Sequence, residues 1–239
     1  MDKLPNSAKI TVMNLRTEYL EIHEKAYSRL RAGGKFSWSD KEDLNLRETF
    51  YLDTLLGAKL PSSAKILVLG CGDGETSLTL AEKAYHVTGW DISPTAVQWA
   101  IEKAKNRGLN AQFEEMNIVT KLPREQSFDV IIDDHCLHCI IGDDRRRCFE
   151  NITALLKPGG FFILRTHCGD PPKGIKQEVL NMWDPDSRCQ VHNGVAGRYF
   201  GFPEKIIEEI TNVSCSILHH KIIVSPNNWD MLEAVFLRE

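Results

Sequence analysis

The strongest constraint on the fold is a regular alternation of short apolar runs with helical stretches, which begins near Ala64. Apolar, partly β-branched runs predict strands at residues 65–70, 87–91, 111–117, 128–134 and 161–167. Parallel neighbours in a sheet need a long crossover connection, and a helix usually supplies it. The alternation therefore predicts a mostly parallel sheet with helices on both faces.

The end of the chain departs from this alternation. Residues 216–224 and 231–237 are predicted as two further strands, joined by the short loop Pro226-Asn227-Asn228. Strands joined by so short a loop must pair antiparallel. We therefore predict an α/β fold with a doubly wound, seven-stranded, mostly parallel sheet and an antiparallel last strand.

The first 60 residues have a different character and predict two helices. Apolar residues recur at partial helical spacing up to Gly33-Gly34, and Ser39-Asp40-Lys41-Glu42 fits a capping box at the start of a second helix. The character changes again near Pro61. The predicted organisation is a helical cap at residues 1–60 and one α/β domain at residues 61–239.

Composition and charge exclude several classes of protein. The 239 residues contain 29 Lys and Arg against 33 Asp and Glu, a net charge of −4, whereas proteins that hold nucleic acid by its phosphates usually have a basic excess. Seven scattered cysteines predict reduced thiols and a cytoplasmic location rather than a disulfide framework. Neither a signal-peptide core nor an apolar run long enough for a membrane span is visible.

A glycine-rich segment, Gly70-Cys71-Gly72-Asp73-Gly74, follows the first predicted strand. Ligands of open α/β sheets bind at this edge, although such a segment can also be a simple turn. A dinucleotide fingerprint would need a further glycine where Glu75 stands, and the acids in the segment would repel a pyrophosphate. Asp91, which ends the second strand, is placed to accept hydrogen bonds from a ribose. These features favour a nucleoside without a pyrophosphate, and S-adenosylmethionine fits because its sulfonium is cationic.

Four stretches, taken in order, resemble the motifs of the class I S-adenosylmethionine-dependent methyltransferases. They are ILVLGCGDGE, VTGWDISP, FDVIIDD and LLKPGGFFIL, and the resemblance extends over roughly residues 47–239. It implies a Rossmann-like fold, S-adenosylmethionine as cofactor and methyl transfer as activity. It does not identify the acceptor.

The resemblance also implies a set of cofactor contacts. The methionine part of the cofactor would be lined by Gly70, Cys71 and Gly72. Asp91 would hold the ribose, and Ile92 would pack on the adenine. The base would further contact Asn117 and Ile118, unless these two residues are an ordinary strand end, and Asp133 would lie near the amino group or the sulfonium.

The predicted N-terminal helices add two candidate cofactor contacts. In the resembling family such segments often cover the cofactor and part of the substrate pocket. Trp38 could place an aromatic face near the sulfonium, and Arg47 could pair with the cofactor carboxylate. The alternative for Trp38 is packing at the start of the second helix.

A polar cluster, Asp133-Asp134-His135-Cys136-Leu137-His138-Cys139, starts at the carboxyl end of the fourth predicted strand, and His167 ends the fifth. His135 and His167 are candidate general bases, because a histidine can take a proton from an O or N nucleophile. Two alternatives remain. The cysteines and His138 could bind a metal, although their spacing is not a standard zinc pattern, or the segment could simply pack. We predict no metal site.

The acceptor is predicted to be a small molecule, because the net charge is negative and no nucleic-acid module is visible. The insert at residues 171–201 is expected to shape the acceptor pocket. It contains Trp183, His192, Arg198, Tyr199 and Phe200. A protein or RNA methyltransferase and a non-catalytic S-adenosylmethionine-binding regulator remain the alternatives. The sequence does not predict an oligomeric state.

Overall fold

The computed structural model describes residues 18–35, 37–39, 41–61, 63–120 and 127–239. Its strands are β1 (Lys65–Leu69), β2 (His86–Asp91), β3 (Ala111–Glu115), β4 (Phe128–Asp134), β5 (Leu156–Cys168), β6 (Trp183–Asp184), β7 (Cys189–His192), β8 (Val195–Tyr199), β9 (Cys215–Ile223) and β10 (Asp230–Arg238). Its helices are α1 (Glu18–Ala32), α2 (Lys41–Gly57), α3 (Glu75–Glu82), α4 (Pro94–Arg107), α5 (Asp143–Leu155), α6 (Gln177–Leu180) and α7 (Pro203–Thr211). A short 3-10 turn covers Leu137–Cys139.

The main sheet has seven strands in the order β3-β2-β1-β4-β5-β10-β9. Neighbours from β3 to β5 are parallel, whereas β10 lies antiparallel between β5 and β9. The predicted seven-stranded, mostly parallel fold with an antiparallel last strand is therefore confirmed. The carboxyl ends of β1 to β5 meet at one edge, so side chains that follow these strands come together there.

The local signals in the sequence account for these elements. Residues Ile66 to Leu69 of β1 are each at most 1% exposed, as expected for an apolar strand covered by helices on both faces. Helix α4 begins at the predicted cap, where Ser93 Oγ accepts a hydrogen bond from the Ala96 N–H at 3.1 Å. It ends at Gly108, which adopts the left-handed conformation with φ 64°.

The insert at residues 171–201 forms a second, three-stranded antiparallel sheet in the order β6-β7-β8, which the sequence analysis did not predict. These strands have only two to five residues and no continuous apolar run. Strand β5 also begins earlier than predicted, at Leu156, because Leu156 already pairs with Phe128 of β4 before a register shift.

The two N-terminal helices pack directly on the main sheet and its helices. Glu24 of α1 accepts hydrogen bonds from Ser93 Oγ at 2.6 Å and from the Thr95 N–H at 3.2 Å, at the start of α4. Tyr51 of α2 donates to the Asp133 carbonyl at 2.9 Å. The predicted capping box includes Asp40, which lies outside the described residues, and the division at residue 60 stays a prediction. In the described part of the chain, no helix is long and apolar enough to cross a membrane.

Candidate functional site

A cavity of about 440 Å³ opens at the carboxyl ends of the parallel strands. Three groups of segments line it: the helices α1 and α2, the loops after β1 to β3, and a third wall from the loop after β4, the end of β5, strand β8 and residues 223–231. The cavity therefore lies where the sequence analysis expected a ligand, and the N-terminal helices form part of its wall.

The glycine loop after β1 brings bare backbone to this cavity. Gly70 and Gly72 have φ values of 64° and 54°, in the left-handed region that glycine adopts without steric cost. A Cβ atom on Gly70 would lie 2.8 Å from Cys136 Cβ, and one on Gly72 would overlap the Tyr27 hydroxyl. Both positions therefore need glycine for their backbone angles and for their close neighbours.

Asp91 is tied to this loop by its own carboxylate. Oδ2 accepts a hydrogen bond from the Gly72 N–H and Oδ1 one from the Ser93 N–H, both at 2.9 Å. Burial raises the pKa of Asp91 to about 6, against the lowering effect of these hydrogen bonds. Each oxygen keeps a further lone pair, so the carboxylate can hold the loop and accept from ligand hydroxyls at once.

The other acids of the loop do not present free negative charge, which corrects the expectation from sequence. Lys103 Nζ of α4 lies 2.9 Å from Asp73 Oδ2 and 2.5 Å from Glu75 Oε1. Arg107 lies 2.6 Å from Glu75 Oε2. These acids are therefore neutralised within the protein, and their charges cannot themselves decide between a sulfonium and a pyrophosphate.

Most of the predicted cofactor residues come together around the cavity. Its lining includes Trp38, Arg47, Gly70, Cys71, Gly72, Asp91, Ile92, Asn117 and Ile118. Asn117 Oδ1 already accepts a hydrogen bond from the Val119 N–H at 3.1 Å, and Ile118 is buried in the main core. The Trp38 ring is 41% exposed and lies 5.0 Å from the ring of Tyr27.

Asp133 is the predicted cofactor residue that does not line the cavity. It is fully buried, and its Oδ1 accepts hydrogen bonds from the Cys136 and Leu137 N–H groups at 3.1 and 2.8 Å. Burial raises its pKa to about 8. Asp134 lines the cavity instead and pairs with Arg47 at 2.7 Å. Successive strand residues point to opposite faces, so Asp134 and not Asp133 presents its side chain to the cavity.

The two predicted general bases belong to a cluster of three imidazole rings. The ring centroids of His135, His138 and His167 lie 5.3 to 5.8 Å apart in edge-to-face contacts. All three residues line the cavity. Burial lowers the pKa of each ring, to about 4 for His167 and well below the ordinary value for the other two, so all three are neutral near pH 7.

His135 and His167 differ in which nitrogen is available. Arg165 Nη1 lies 2.9 Å from His135 Nε2, and because a guanidinium only donates, this nitrogen must accept. The proton of neutral His135 is then on Nδ1, which makes His135 a donor. His167 hydrogen-bonds to the Trp229 backbone while its Nδ1 has no partner in the described part of the chain.

The cysteines and the metal alternative can be assessed in the same region. All seven cysteines are free. Burial raises the pKa of Cys136 and Cys139, in the latter case to about 11, so both are neutral thiols near pH 7. Among the residues that the structure describes, no group of three or more His, Cys, Asp or Glu side chains is arranged to hold a metal ion.

Several cavity residues escaped the sequence analysis. Tyr27 and His23 come from α1, Asp43 from α2, and Arg165 from β5. Arg165 did carry a signal, since a buried strand such as FFILRTHC rarely contains an arginine without a partner. That partner is Glu233 of β10, whose Oε1 lies 3.1 Å from Arg165 Nε. The α1 residues carry no comparable signal.

Comparison with known proteins finds similarity to methyltransferases. Residues 66–160 match the model of a family described as "Methyltransferase domain". The phosphoethanolamine N-methyltransferase 1 of Triticum aestivum is 30% identical over 186 residues, which are 75% of this chain and 36% of that enzyme. The 2-heptyl-1-hydroxyquinolin-4(1H)-one methyltransferase of Mycobacteroides abscessus is 33% identical over 100 residues, 41% of this chain and 44% of that protein. The chain thus spans about a third of the length of the wheat enzyme.

A solved structure has the same fold over nearly the whole chain. It is that of the Burkholderia thailandensis 1,6-didemethyltoxoflavin-N1-methyltransferase with bound 1,6-didemethyltoxoflavin and S-adenosylhomocysteine. It superposes with a TM-score of 0.68 at 20% identity and covers 99% of this chain and 93% of its own. At this identity the likeness concerns the fold.

Proposed function

Because the chain belongs to the class I S-adenosylmethionine-dependent methyltransferases, we propose that it transfers the methyl group of S-adenosylmethionine to a small-molecule acceptor. The observation that carries the proposal is the glycine loop at the edge of the sheet. Its glycines leave the backbone open to a ligand, and Asp91 fixes the loop by accepting a hydrogen bond from the Gly72 N–H. A cytoplasmic location is part of the proposal and rests on the free cysteines.

In this proposal, residues at the ends of β1, β2 and β3 would hold the cofactor. The loop at Gly70 and Gly72 lets the methionine part approach the backbone, and Asp91 accepts the ribose hydroxyls. Ile92, Asn117 and Ile118 surround the adenine. Arg47 is already paired with Asp134, so a cofactor carboxylate would share its guanidinium rather than find it free.

The acceptor lies beside the histidine cluster, and His167 takes its proton. His167 Nδ1 is an unpartnered nitrogen on a neutral ring that lines the cavity, so its lone pair can accept a proton. His135 serves instead as a hydrogen-bond donor, because Arg165 occupies its accepting nitrogen. The chain's contribution to the rate is chiefly to hold nucleophile and methyl group in line.

The first experiment tests the cofactor. Calorimetry should show binding of S-adenosylhomocysteine and none of NAD at the same concentration. The opposite result would refute the proposal. Turnover is then measured as S-adenosylhomocysteine production over a panel of amines and hydroxylated heterocycles. The panel includes phosphoethanolamine and hydroxyquinolines, because the relatives' names point to them. Cofactor binding with turnover only on protein or RNA would favour the alternative acceptors.

The second experiment separates the two histidines on an acceptor found in this panel. His167→Gln should lower kcat by about 10²- to 10⁴-fold, the usual contribution of general-base catalysis. His135→Gln should have a smaller effect, since the glutamine amide can still donate a hydrogen bond. Equal kcat for wild type and His167→Gln would exclude His167 as the base.

A further inference from the structure

We propose that the cavity binds an anionic group of the acceptor, a phosphate or a carboxylate, on the guanidinium of Arg198. This inference rests on the proposed function, because it assigns the anion to the methyl acceptor. Arg198 lies on β8, within the insert at residues 171–201, and lines the cavity together with the histidine cluster.

Arg198 differs from the other arginines of the cavity in having no carboxylate partner. Arg47 pairs with Asp134 at 2.7 Å, and Arg165 pairs with Glu233 at 3.1 Å. Arg198 forms no ion pair with any acid in the described part of the chain, and its neighbour Cys139 is a neutral thiol. One cavity guanidinium therefore retains an uncompensated positive charge.

The side chains around Arg198 leave this charge unbalanced. Its field contributes to lowering the pKa of His23 and His167, both to about 4, and of His138, after the larger effect of burial. These rings are therefore neutral near pH 7 and supply no negative charge. A half-buried charge without a partner is unfavourable, so a bound anion would stabilise this arrangement.

A second, independent feature of the same wall also requires a hydrogen-bond acceptor. The indole Nε1 of Trp229 is buried and has no hydrogen-bond partner in the described part of the chain, and an indole only donates. Trp229 lines the cavity, and its ring stacks on that of Phe200 with the centroids 4.1 Å apart. Phe200 follows Arg198 by two positions in the chain. A guanidinium and an unpartnered N–H donor are the groups that recognise an anionic oxygen.

The position of Arg198 assigns the anion to the acceptor rather than to the cofactor. Of the four histidines whose pKa its charge affects, three lie at or after the ends of β4 and β5 and one lies on α1. The glycine loop follows β1, and Asp91 ends β2. The carboxylate of the cofactor belongs to the glycine-loop end in the proposed arrangement. An anion beside His167 would also orient a nucleophile toward Nδ1 of that ring.

The experiment measures anion binding without needing turnover. Protein saturated with S-adenosylhomocysteine is titrated with inorganic phosphate and, in a second arm, with acetate, each at an ionic strength held constant with chloride. The melting temperature at each concentration gives an apparent dissociation constant. Arg198→Gln is compared with Arg146→Gln, a matched change at an exposed arginine on α5 that pairs with Glu150.

We expect phosphate, acetate or both to raise the melting temperature of wild type and Arg146→Gln above the chloride baseline. The arm with the larger shift identifies the group. Arg198→Gln should weaken the apparent affinity at least about ten-fold, the usual effect of losing a charge-assisted hydrogen bond. Its affinity for S-adenosylhomocysteine should equal that of wild type, which also shows that the variant is folded.

Three results would overturn the inference. They are no shift in wild type with either anion, an undiminished shift in Arg198→Gln, and a loss of S-adenosylhomocysteine binding in that variant, which would assign Arg198 to the cofactor. If wild type itself fails to bind S-adenosylhomocysteine, the proposed function fails, and anion binding is then measured on the free protein.

Discussion

The two ends of the cavity differ in whether their charged side chains have partners within the protein. At the end formed by the loops after β1 to β3, the carboxylates are engaged by the protein: Asp73 and Glu75 by Lys103, and Asp91 by backbone N–H groups. At the end formed after β4, β5 and β8, neutral imidazoles surround Arg198, which has no carboxylate partner in the described chain.

This difference separates charged side chains that stabilise the fold from a charged side chain that is available to a ligand. A buried charge that is paired within the protein is strongly destabilising to disrupt, since its partner is left buried and alone. A charge with no partner contributes nothing of that kind. The first end also lies within the matched segment at residues 66–160, whereas Arg165, His167 and Arg198 lie beyond it. The matched segment thus includes the whole of the first end but only the residues after β4 from the second end.

The largest expected effect is on stability at the paired end. Lys103→Met should lower the free energy of unfolding by about 3–5 kcal/mol, because it leaves Asp73 and Glu75 buried with their main cation removed. Lys105→Met, at an exposed position on the same helix, is the control. Arg198→Gln should stay within about 0.5 kcal/mol of wild type. Urea denaturation measures all three, and equal losses at Lys103 and Arg198 would abolish the contrast between the two ends.

The next effect concerns the neutral histidines and has a defined sign with pH. The pKa of folded His167 is about 4, below the ordinary 6.5, so the unfolded chain takes up a proton first as the pH falls. His167 therefore lowers stability progressively from about pH 6.5 to 4, by up to about 3 kcal/mol.

His167→Gln lacks this loss, so its stability relative to wild type should improve as the pH is lowered from 7 to 4. The two proteins share Asp91, whose pKa of about 6 acts in the opposite sense, and its effect cancels in the difference. Chemical denaturation at pH 7, 5.5 and 4 measures that difference. A constant difference would show that His167 is not held neutral.

The smallest expected effect is on cofactor affinity at the paired end. Asp91→Ala should weaken S-adenosylhomocysteine binding by about 1–3 kcal/mol, because ribose hydroxyls lose their acceptor and the Gly72 N–H loses the bond that fixes the loop. Calorimetry at pH 7.5, where this carboxyl is ionised, compares it with Asp53→Ala on the exposed face of α2. An unchanged dissociation constant in Asp91→Ala would refute the ribose contact.

Sequence predicted the parts of this molecule that local physics determines. The apolar runs predicted the sheet, and the Ser93 cap and Gly108 predicted both ends of α4. The glycine loop and the polar residues at or after the ends of β4 and β5 predicted where the cavity opens, since strand ends in a parallel sheet converge. All but one of the predicted site residues line the cavity.

The sequence did not predict the ion pairs between residues far apart in the chain, or the direction of the side chains at strand ends. Lys103 follows Asp73 by 30 positions, and Asp134 follows Arg47 by 87, so no local pattern joins them. Asp134 lines the cavity and Asp133 does not, because side chains alternate along β4. The small sheet of the insert was missed since its strands are too short to show a pattern.

His135 adopts a left-handed backbone, with φ 62°, at the exit of β4. For a residue with a side chain this conformation costs about 1–2 kcal/mol, whereas glycine adopts it readily. The chain nevertheless keeps an imidazole there, bonded to Arg165 and packed against two other rings. At this position glycine would give the more stable backbone, whereas only a residue with a side chain supplies the cavity with a functional group. The presence of histidine therefore favours the cavity over backbone stability.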